Sequence, residues 1–269
     1  MLKKSNILIN LILTISFAAS LINKSSRVVM MSTLSNSVSS SSTTATTTKS
    51  KEIIIIRHGT TEMNEVLSKT SWGSKGFVDA NLWDTRLSRR GIEDAQSLNK
   101  KVLQKDSDVG DFSRIDLLIC SPLTRALQTA EIGLKGDIIR KDIAKIVHPL
   151  CRERLYLSSD VGRTKTALRD DYPNWNYDYL PETDWWYCHP KDEEYIEWRP
   201  EGKYPCEGEI ESYFIDRIKK LKKFLNERDE QCIAVVCHWG VARALTGKSL
   251  SKILSLIIMN IVIFIIINR

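Results

Sequence analysis

The chain has 269 residues, 42% of them hydrophobic, and a formal net charge of +6. Once its two unusual ends are set aside, this length fits one domain of ordinary size with a substantial core. The surplus charge is modest and mixed with acids, and there is no arginine-rich arm, zinc finger or basic helix, so the sequence argues against a nucleic-acid partner. A site for small anionic molecules fits the same charge balance.

The first fifty residues have the composition of a leader rather than of a domain. Residues 1–30 begin with two lysines, an apolar stretch and small residues, the layout of a secretory signal peptide; an uncleaved membrane anchor is the alternative. Residues 31–50 are rich in serine and threonine and predict a disordered linker or part of an organelle-targeting leader. We therefore expect folding to begin near Lys51, and the protein to enter the secretory pathway or an organelle.

Three short apolar runs, residues 52–56, 115–120 and 232–237, predict strands that are buried on both faces. Helical spacing predicts helices between them, the first capped by Ser88. The apolar positions expected on the inner faces of these helices are Ile92, Ala95, Leu98, Val102 and Leu103, then Leu123, Leu127, Ala130 and Leu134, then Phe214, Ile218, Leu221 and Leu225. Strands that alternate with helices predict an α/β fold, a three-layer α/β/α sandwich with a mostly parallel sheet.

The C-terminal tail, residues 250–269, is apolar and has two interpretations. Its continuous apolar run is shorter than the roughly 20 residues that a spanning helix needs, so a membrane anchor is a marginal fit. The alternative is a gene-model artefact, because the codons for residues 247–249 can contain a consensus intron donor and the tail resembles translated AT-rich sequence. Membrane association through either apolar end is thus one expectation.

The cysteines do not predict a disulfide framework or a metal site. No CxxC pair occurs, and Cys120, Cys232 and Cys237 lie in or beside apolar runs, where free cysteine behaves as a small hydrophobe. Only Cys188 and Cys206, in a polar region, remain a candidate pair.

Polar residues follow each of the three predicted strands. Arg57 and His58 come directly after the first, Arg125 lies one helical turn beyond the second, and His238 follows the third. In parallel sheets, ligands bind outside the carboxyl ends of the strands, so these side chains should converge. Arginine suits bidentate contact with phosphate oxygens, and histidine can be a neutral nucleophile or a cationic donor. The absence of HExxH, of clustered acidic ligands and of a P-loop argues against a metal site and an NTPase.

Four sequence blocks occur in order: IIRHGTTEMN, SPLTRALQTAE, LCRERLY and VVCHWGVARAL. Together they resemble the histidine phosphatase superfamily, which includes the cofactor-dependent phosphoglycerate mutases and many phosphatases. The resemblance covers about Lys51 to Gly247 and implies a phosphoglycerate mutase-like domain at residues 51–249. It also implies an enzyme without metal or cofactor that acts through a phosphohistidine on a small phosphorylated substrate.

The resemblance further implies roles for individual residues. His58 would be the nucleophile, and Arg57, Arg125 and a protonated His238 would hold the phosphoryl group and stabilise its transition-state charge. Glu153 would donate a proton to the leaving oxygen, its pKa raised by burial; the alternative is an ordinary surface carboxylate. The residues expected to contact the phosphate or the rest of the substrate are Gly59, Thr61, Asn64, Arg154, Tyr156 and Trp239.

Departures from the mutase pattern bear on the substrate. Mutases usually have HGN at the second histidine, whereas this chain has HWG, and their basic insert is replaced by residues 171–200, rich in aromatic residues and acids. The tryptophans of this segment either cover the sheet or line the substrate mouth: Trp175, Trp185, Trp186 and Trp198. The sequence therefore favours a phosphomonoester hydrolase over a mutase-like phosphotransferase, with an inactive phospho-ligand binding module as a third hypothesis.

Overall fold

The computed structural model describes residues 51–70, 77–105, 111–186 and 209–247, and the backbone of Val262–Ile267. The predicted leader, the Cys188–Cys206 pair and Trp198 lie outside these residues, so the predictions about them stay predictions. Within the described ranges, no helix combines the length and apolarity needed to cross a membrane.

A five-stranded sheet forms the centre of the described part of the chain. Its strands are β1 (Lys51–Arg57), β2 (Leu117–Cys120), β3 (Ala144–Val147), β4 (Cys232–Cys237) and β5 (Val262–Ile267). Their order is β3-β2-β4-β1-β5, with β1 to β4 parallel and β5 antiparallel to β1. All three apolar runs are strands, which confirms the mostly parallel sheet, although β2 begins two residues later than predicted.

Helices cover both faces of this sheet. They are α1 (Glu62–Ser68), α2 (Arg89–Leu103), α3 (Thr124–Gly133), α4 (Lys165–Asp171), α5 (Glu211–Glu227) and α6 (Trp239–Thr246). Successive residues of a strand point to opposite faces. Ile54 and Ile56 accordingly pack with α2 and α3, whereas Ile53 and Ile55 pack with α5 and α6. The predicted three-layer α/β/α sandwich is confirmed.

The predicted helix faces are confirmed with one correction in α2. Ser88 caps this helix by accepting from the Gly91 N–H, and Ala95, Leu98 and Val102 are buried. Ile92 and Leu103, expected on the same face, are 37% and 59% exposed. At about 100° per residue, these two positions lie about a quarter-turn or more away from the line of buried residues. The inner positions predicted for α3 and α5 are all buried.

The aromatic segment after α4 packs over the sheet. Trp175 and Trp185 are buried in the core that α2 and α3 share, and Trp186 packs against it. Their indole N–H groups have partners: Trp175 donates to the Glu131 carboxylate at 2.7 Å, and Trp185 donates to the Arg163 carbonyl at 2.8 Å. These three tryptophans therefore cover the sheet, which is the first of the two interpretations of this segment.

The cysteines and the tail complete the described fold. Cys120, Cys232 and Cys237 are buried free thiols, as expected of cysteines in or beside apolar strands, and Cys151 is a further buried free thiol. The backbone of β5 extends the sheet beyond β1. The anchor and gene-model interpretations of the whole tail stay predictions.

Candidate active site

The carboxyl ends of β1, β2 and β4 meet at one edge of the sheet. The parallel ladder continues past the strands, because the His58 N–H donates to the Cys237 carbonyl at 3.0 Å and the Ser121 N–H to the Val236 carbonyl at 2.9 Å. This pairing places His58 beside His238, with 5.0 Å between the ring centroids. Two imidazoles from separate sequence blocks therefore lie side by side.

His58 has a defined tautomer. Its Nδ1 lies 2.7 Å from the Gly59 carbonyl oxygen. Because a carbonyl oxygen can only accept, Nδ1 carries the proton and Nε2 keeps a lone pair. Burial, followed by the positive charges of Arg125 and Arg57, holds the pKa of His58 well below its usual value. His58 is thus a neutral imidazole whose Nε2 can act as a nucleophile.

Gly59 is the point where the turn after β1 touches α2. A Cβ at residue 59 would lie 2.6 Å from the Gly91 carbonyl oxygen, so this approach requires glycine. The Gly59 N–H donates to Thr129 Oγ1 at 3.0 Å, and that hydroxyl donates to the Arg125 carbonyl at 2.7 Å. These contacts tie the turn that carries His58 to the helix that carries Arg125.

Arg125 is held in place by the loop of residues 157–160. Its guanidinium donates to the Ser159 carbonyl at 2.5 Å and to Asp160 Oδ1 at 2.9 Å. The other carboxylate oxygen, Asp160 Oδ2, accepts from the N–H groups of Tyr156 and Leu157 at 3.1 and 3.0 Å. The guanidinium is therefore oriented before any ligand binds.

His238 is fully buried, and its two ring nitrogens differ. Nε2 lies 2.7 Å from Ser121 Oγ, whereas Nδ1 has no hydrogen-bond partner in the described structure, and the same is true of Arg57 Nε. Buried polar atoms are almost always paired, so two unpaired ones in one site indicate a place for a polar ligand.

The protonation of His238 differs from the expectation. The resemblance implies a cation, but burial, then the positive charge of Arg125, holds the pKa of His238 well below its usual value. In the absence of an anion, these surroundings favour the neutral ring. A bound phosphate dianion would raise the pKa of His238 and so favour the cation.

Glu153 lies against the first turn of α6. Its Oε1 accepts from the Arg154 N–H at 2.9 Å, and its Oε2 accepts from the Gly240 N–H at 3.3 Å. A Cβ at residue 240 would lie 2.6 Å from Oε1, so only glycine allows this approach. Burial, followed by the charge of Asp160, raises the pKa of Glu153. The direction of this shift agrees with the protonated acid that the resemblance implies, and the role of Glu153 as proton donor stays a prediction.

Thr61 and Asn64, predicted to contact phosphate, form the cap of α1. Thr61 Oγ1 accepts from the Asn64 N–H at 3.0 Å, and Asn64 Oδ1 accepts from the Thr61 N–H at 3.1 Å. The cap leaves the Asn64 amide NH₂ as a donor, so a contact with substrate stays a prediction.

The other predicted substrate contacts have partners of their own. The Arg154 guanidinium forms an ion pair with Glu211 and lies over the ring of Tyr156, 4.9 Å from its centroid. Trp239 is half-buried, and the guanidinium of Arg243 lies 5.4 Å from its ring. Their roles in substrate binding stay predictions. Among the described residues, no group of three or more His, Cys, Asp or Glu side chains is arranged to hold a metal ion.

Sequence reasoning missed several residues that build the site. Gly91 carries a signal, because a glycine in the first turn of a predicted helix is unfavourable unless close packing requires it. Ser121 also carries a signal, because it directly follows the second predicted strand, but Asp160 carries none, since an isolated Asp in a loop predicts only a turn.

The chain is similar to a known family over most of its length. Residues 53–257 match the profile described as histidine phosphatase superfamily (branch 1). A 2,3-bisphosphoglycerate-dependent phosphoglycerate mutase of Staphylococcus epidermidis is 36% identical over 85 residues, which cover 32% of this chain and 30% of that protein. The match thus spans less than a third of that curated relative.

Two solved structures are also similar. The alpha-ribazole phosphatase from Shigella flexneri has 23% sequence identity and a TM-score of 0.43, covering 76% of this chain and 84% of that one. The ecdysone phosphate phosphatase from Bombix mori has 16% identity and a TM-score of 0.46, covering 73% and 76%.

Proposed function

The chain belongs to the histidine phosphatase superfamily, and we propose that it is a phosphomonoester hydrolase that acts through a phosphohistidine on His58. One observation carries the proposal. The free Nε2 of neutral His58 lies in the same site as two buried donors without partners, Arg57 Nε and His238 Nδ1. A nucleophile beside guanidinium and imidazole donors suits the transfer of a phosphoryl group.

In the first step, His58 Nε2 attacks phosphorus and the bond to the leaving oxygen breaks. The electron pair of that bond goes to the leaving oxygen, which takes a proton from Glu153. The guanidinium groups of Arg57 and Arg125 offset the charge on the equatorial oxygens. The substrate dianion raises the pKa of His238, because a nearby opposite charge favours the cation, and His238 Nδ1 then donates to the phosphoryl group.

In the second step, water attacks the phosphohistidine. Glu153, left as a carboxylate by the first step, accepts the proton of this water. The P–N bond breaks, inorganic phosphate leaves, and both His58 and Glu153 return to their starting states. The raised pKa of Glu153 suits both roles, since a pKa nearer to neutrality eases donation and acceptance alike.

The contacts of the Arg154 guanidinium favour hydrolysis over phosphoryl transfer to a second substrate. A mutase needs free cations to hold the second anionic group of its substrate and must keep water from the phosphohistidine. The Arg154 guanidinium already donates to the Glu209 carbonyl and to the Glu211 carboxylate. The segment that replaces the basic insert adds acids that would repel a second anion: Asp178, Glu182 and Asp184, with Asp170 just before it and Asp171, which is paired with Arg163.

Phosphoglycerate mutase is the second candidate, because the curated relative has that name. The two candidates separate in one experiment. The purified protein should release inorganic phosphate from monophosphates and should interconvert 2- and 3-phosphoglycerate poorly, even with added 2,3-bisphosphoglycerate. Efficient isomerisation with little phosphate release would promote the mutase.

The matched control is His58→Ala, which removes the nucleophile and leaves the donors in place. This variant should lose both turnover and any acid-labile phosphoenzyme. Turnover at the wild-type rate in His58→Ala would refute the proposed mechanism.

A further inference from the structure

A cluster of three buried charged residues lies beside the proposed acid: Arg152, Glu209 and Arg217, called here the Arg–Glu–Arg cluster. The Glu209 side chain is fully buried, and both arginines are almost so. Arg152 binds the carboxylate with two N–H groups at 2.9 and 3.0 Å, and Arg217 with two at 2.8 and 2.6 Å. A single carboxylate therefore fixes the planes of two guanidinium forks.

These forks bind the backbone next to Glu153. Arg217 Nη1 donates to the carbonyl oxygens of Leu150 and Arg152 at 2.9 and 2.8 Å. Arg152 Nη1 donates to the carbonyl of Glu153 itself at 3.3 Å. The backbone is thus held at two carbonyl groups that precede Glu153 and at the carbonyl group of Glu153 itself.

Glu209 also restrains the backbone that follows Glu153. The Arg154 side chain donates from Nε to the Glu209 carbonyl at 2.8 Å, while the Arg154 N–H donates to the carboxylate of Glu153. The Glu209 N–H donates in turn to the Leu155 carbonyl at 3.2 Å. Glu209 therefore restrains the backbone on both sides of Glu153.

The chemistry of the cluster favours a geometric role. Burying three charges is costly, and well-packed apolar residues often give equal or greater stability. Burial alone would raise the pKa of Glu209, but the hydrogen bonds from Arg217 and Arg152 outweigh it and lower the pKa to about 2. The carboxylate thus stays charged, and the cluster stays intact, over the pH range of phosphatase assays.

We infer that Glu209, acting through Arg152 and Arg217, is a positioning residue that holds Glu153 at the leaving oxygen. The inference rests on the proposed function, because it needs Glu153 to be the proton donor. General acid catalysis contributes about 10²- to 10⁴-fold, and a displacement of about 1 Å can cost about 100-fold. An alkoxide leaves slowly unless it is protonated, whereas p-nitrophenolate is a stable anion and needs little help. A displaced Glu153 should therefore slow the hydrolysis of alkyl phosphates more than that of aryl phosphates.

The test compares kcat/KM for β-glycerophosphate and p-nitrophenyl phosphate, since this constant reports the step in which the leaving group departs. In Glu209→Gln, the value for the alkyl substrate should fall about 30- to 100-fold, and that for the aryl substrate less than about threefold. Arg217→Lys keeps the charge balance but loses the fork, so it should show the same selective loss at smaller size.

The control is Leu225→Ala, a buried substitution on the same helix as Arg217, eight residues further along the chain. It should lower the unfolding temperature and leave the ratio of the two kcat/KM values unchanged. Equal losses on both substrates, or none, in Glu209→Gln and Arg217→Lys would overturn the inference. If the wild-type protein hydrolyses neither substrate, the proposed function itself fails.

Discussion

Replacing Gly91 with alanine should disturb the nucleophile, although residue 91 lies on a different element of the fold. A Cβ at this position would lie 1.9 Å from the carbonyl oxygen of Thr60 and 2.8 Å from its carbonyl carbon. A normal C···O contact is about 3.3 Å, so the two backbones must separate by about 1.4 Å. Thr60 is two residues from His58, and the Ser88 N–H binds its carbonyl oxygen at 2.9 Å. The turn that carries His58 must therefore shift.

The expected change in stability is opposite to the one that helix propensity alone predicts for Gly91→Ala. Alanine in place of glycine inside a helix ordinarily adds about 1 kcal/mol of stability. Overpacking costs about 1–3 kcal/mol, and here the contact is between backbones, which cannot rotate away. The difference between this cost and the propensity gain is a loss of up to about 2 kcal/mol in the free energy of unfolding of Gly91→Ala. Because a shift of about 1 Å at a reacting group can cost about 100-fold, kcat/KM should fall by that order.

Gly133→Ala is the matched control, also on a helix beside the core. Its Cβ would meet Leu98 Cδ2 at 3.1 Å, a flexible side-chain end that can move aside. The two variants are compared by their thermal unfolding and by their kcat/KM for p-nitrophenyl phosphate. We expect Gly133→Ala to behave as the wild type does. Gly91→Ala with wild-type stability and activity would refute the reasoning, and so would equal damage in both variants.

Two further predictions concern the protonation of Glu153 and the need for a metal ion. Asp160→Asn should move the alkaline limb of the kcat/KM pH profile to lower pH: the charge of Asp160 raises the pKa of Glu153, and Glu153 must be protonated to donate. A limb that stays in place or moves to higher pH would contradict this assignment. Excess EDTA should leave phosphate release unchanged, because the proposed steps use only side chains and water. A loss of activity that added metal ions restore would show a metal requirement.

The parts of the fold that the sequence predicts are those with a strong local pattern. The strands β1, β2 and β4 are continuously apolar because they are buried on both faces, and their tips hold Arg57, His58 and His238. β3 was not predicted because it is short and lies at the edge of the described sheet, with Ala144 exposed and Lys145 half-buried. An edge strand of four residues leaves too few apolar positions for a pattern.

The supporting residues of the site could not be predicted for a different reason. Asp160 binds an arginine 35 positions away, and Glu209 binds one 57 positions away. Nothing local distinguishes these carboxylates from solvated ones, since their role depends on tertiary contacts. The family resemblance supplied the acid, Glu153, but the residues that orient it became visible only from the hydrogen bonds.

The electrostatics of the site link the position of one group to the protonation of another. Without an anion, two arginines already place positive charge in a buried space, so neutral imidazoles limit the further cost of charge. Asp160 holds the fork of Arg125 and also raises the pKa of Glu153. In the proposed mechanism, the same carboxylate would thus orient a guanidinium that contacts the phosphoryl oxygens and favour the protonated form of the acid. When a dianion binds, it offsets the arginines and favours the cationic form of His238. Substrate binding would itself then set the protonation that the first step requires.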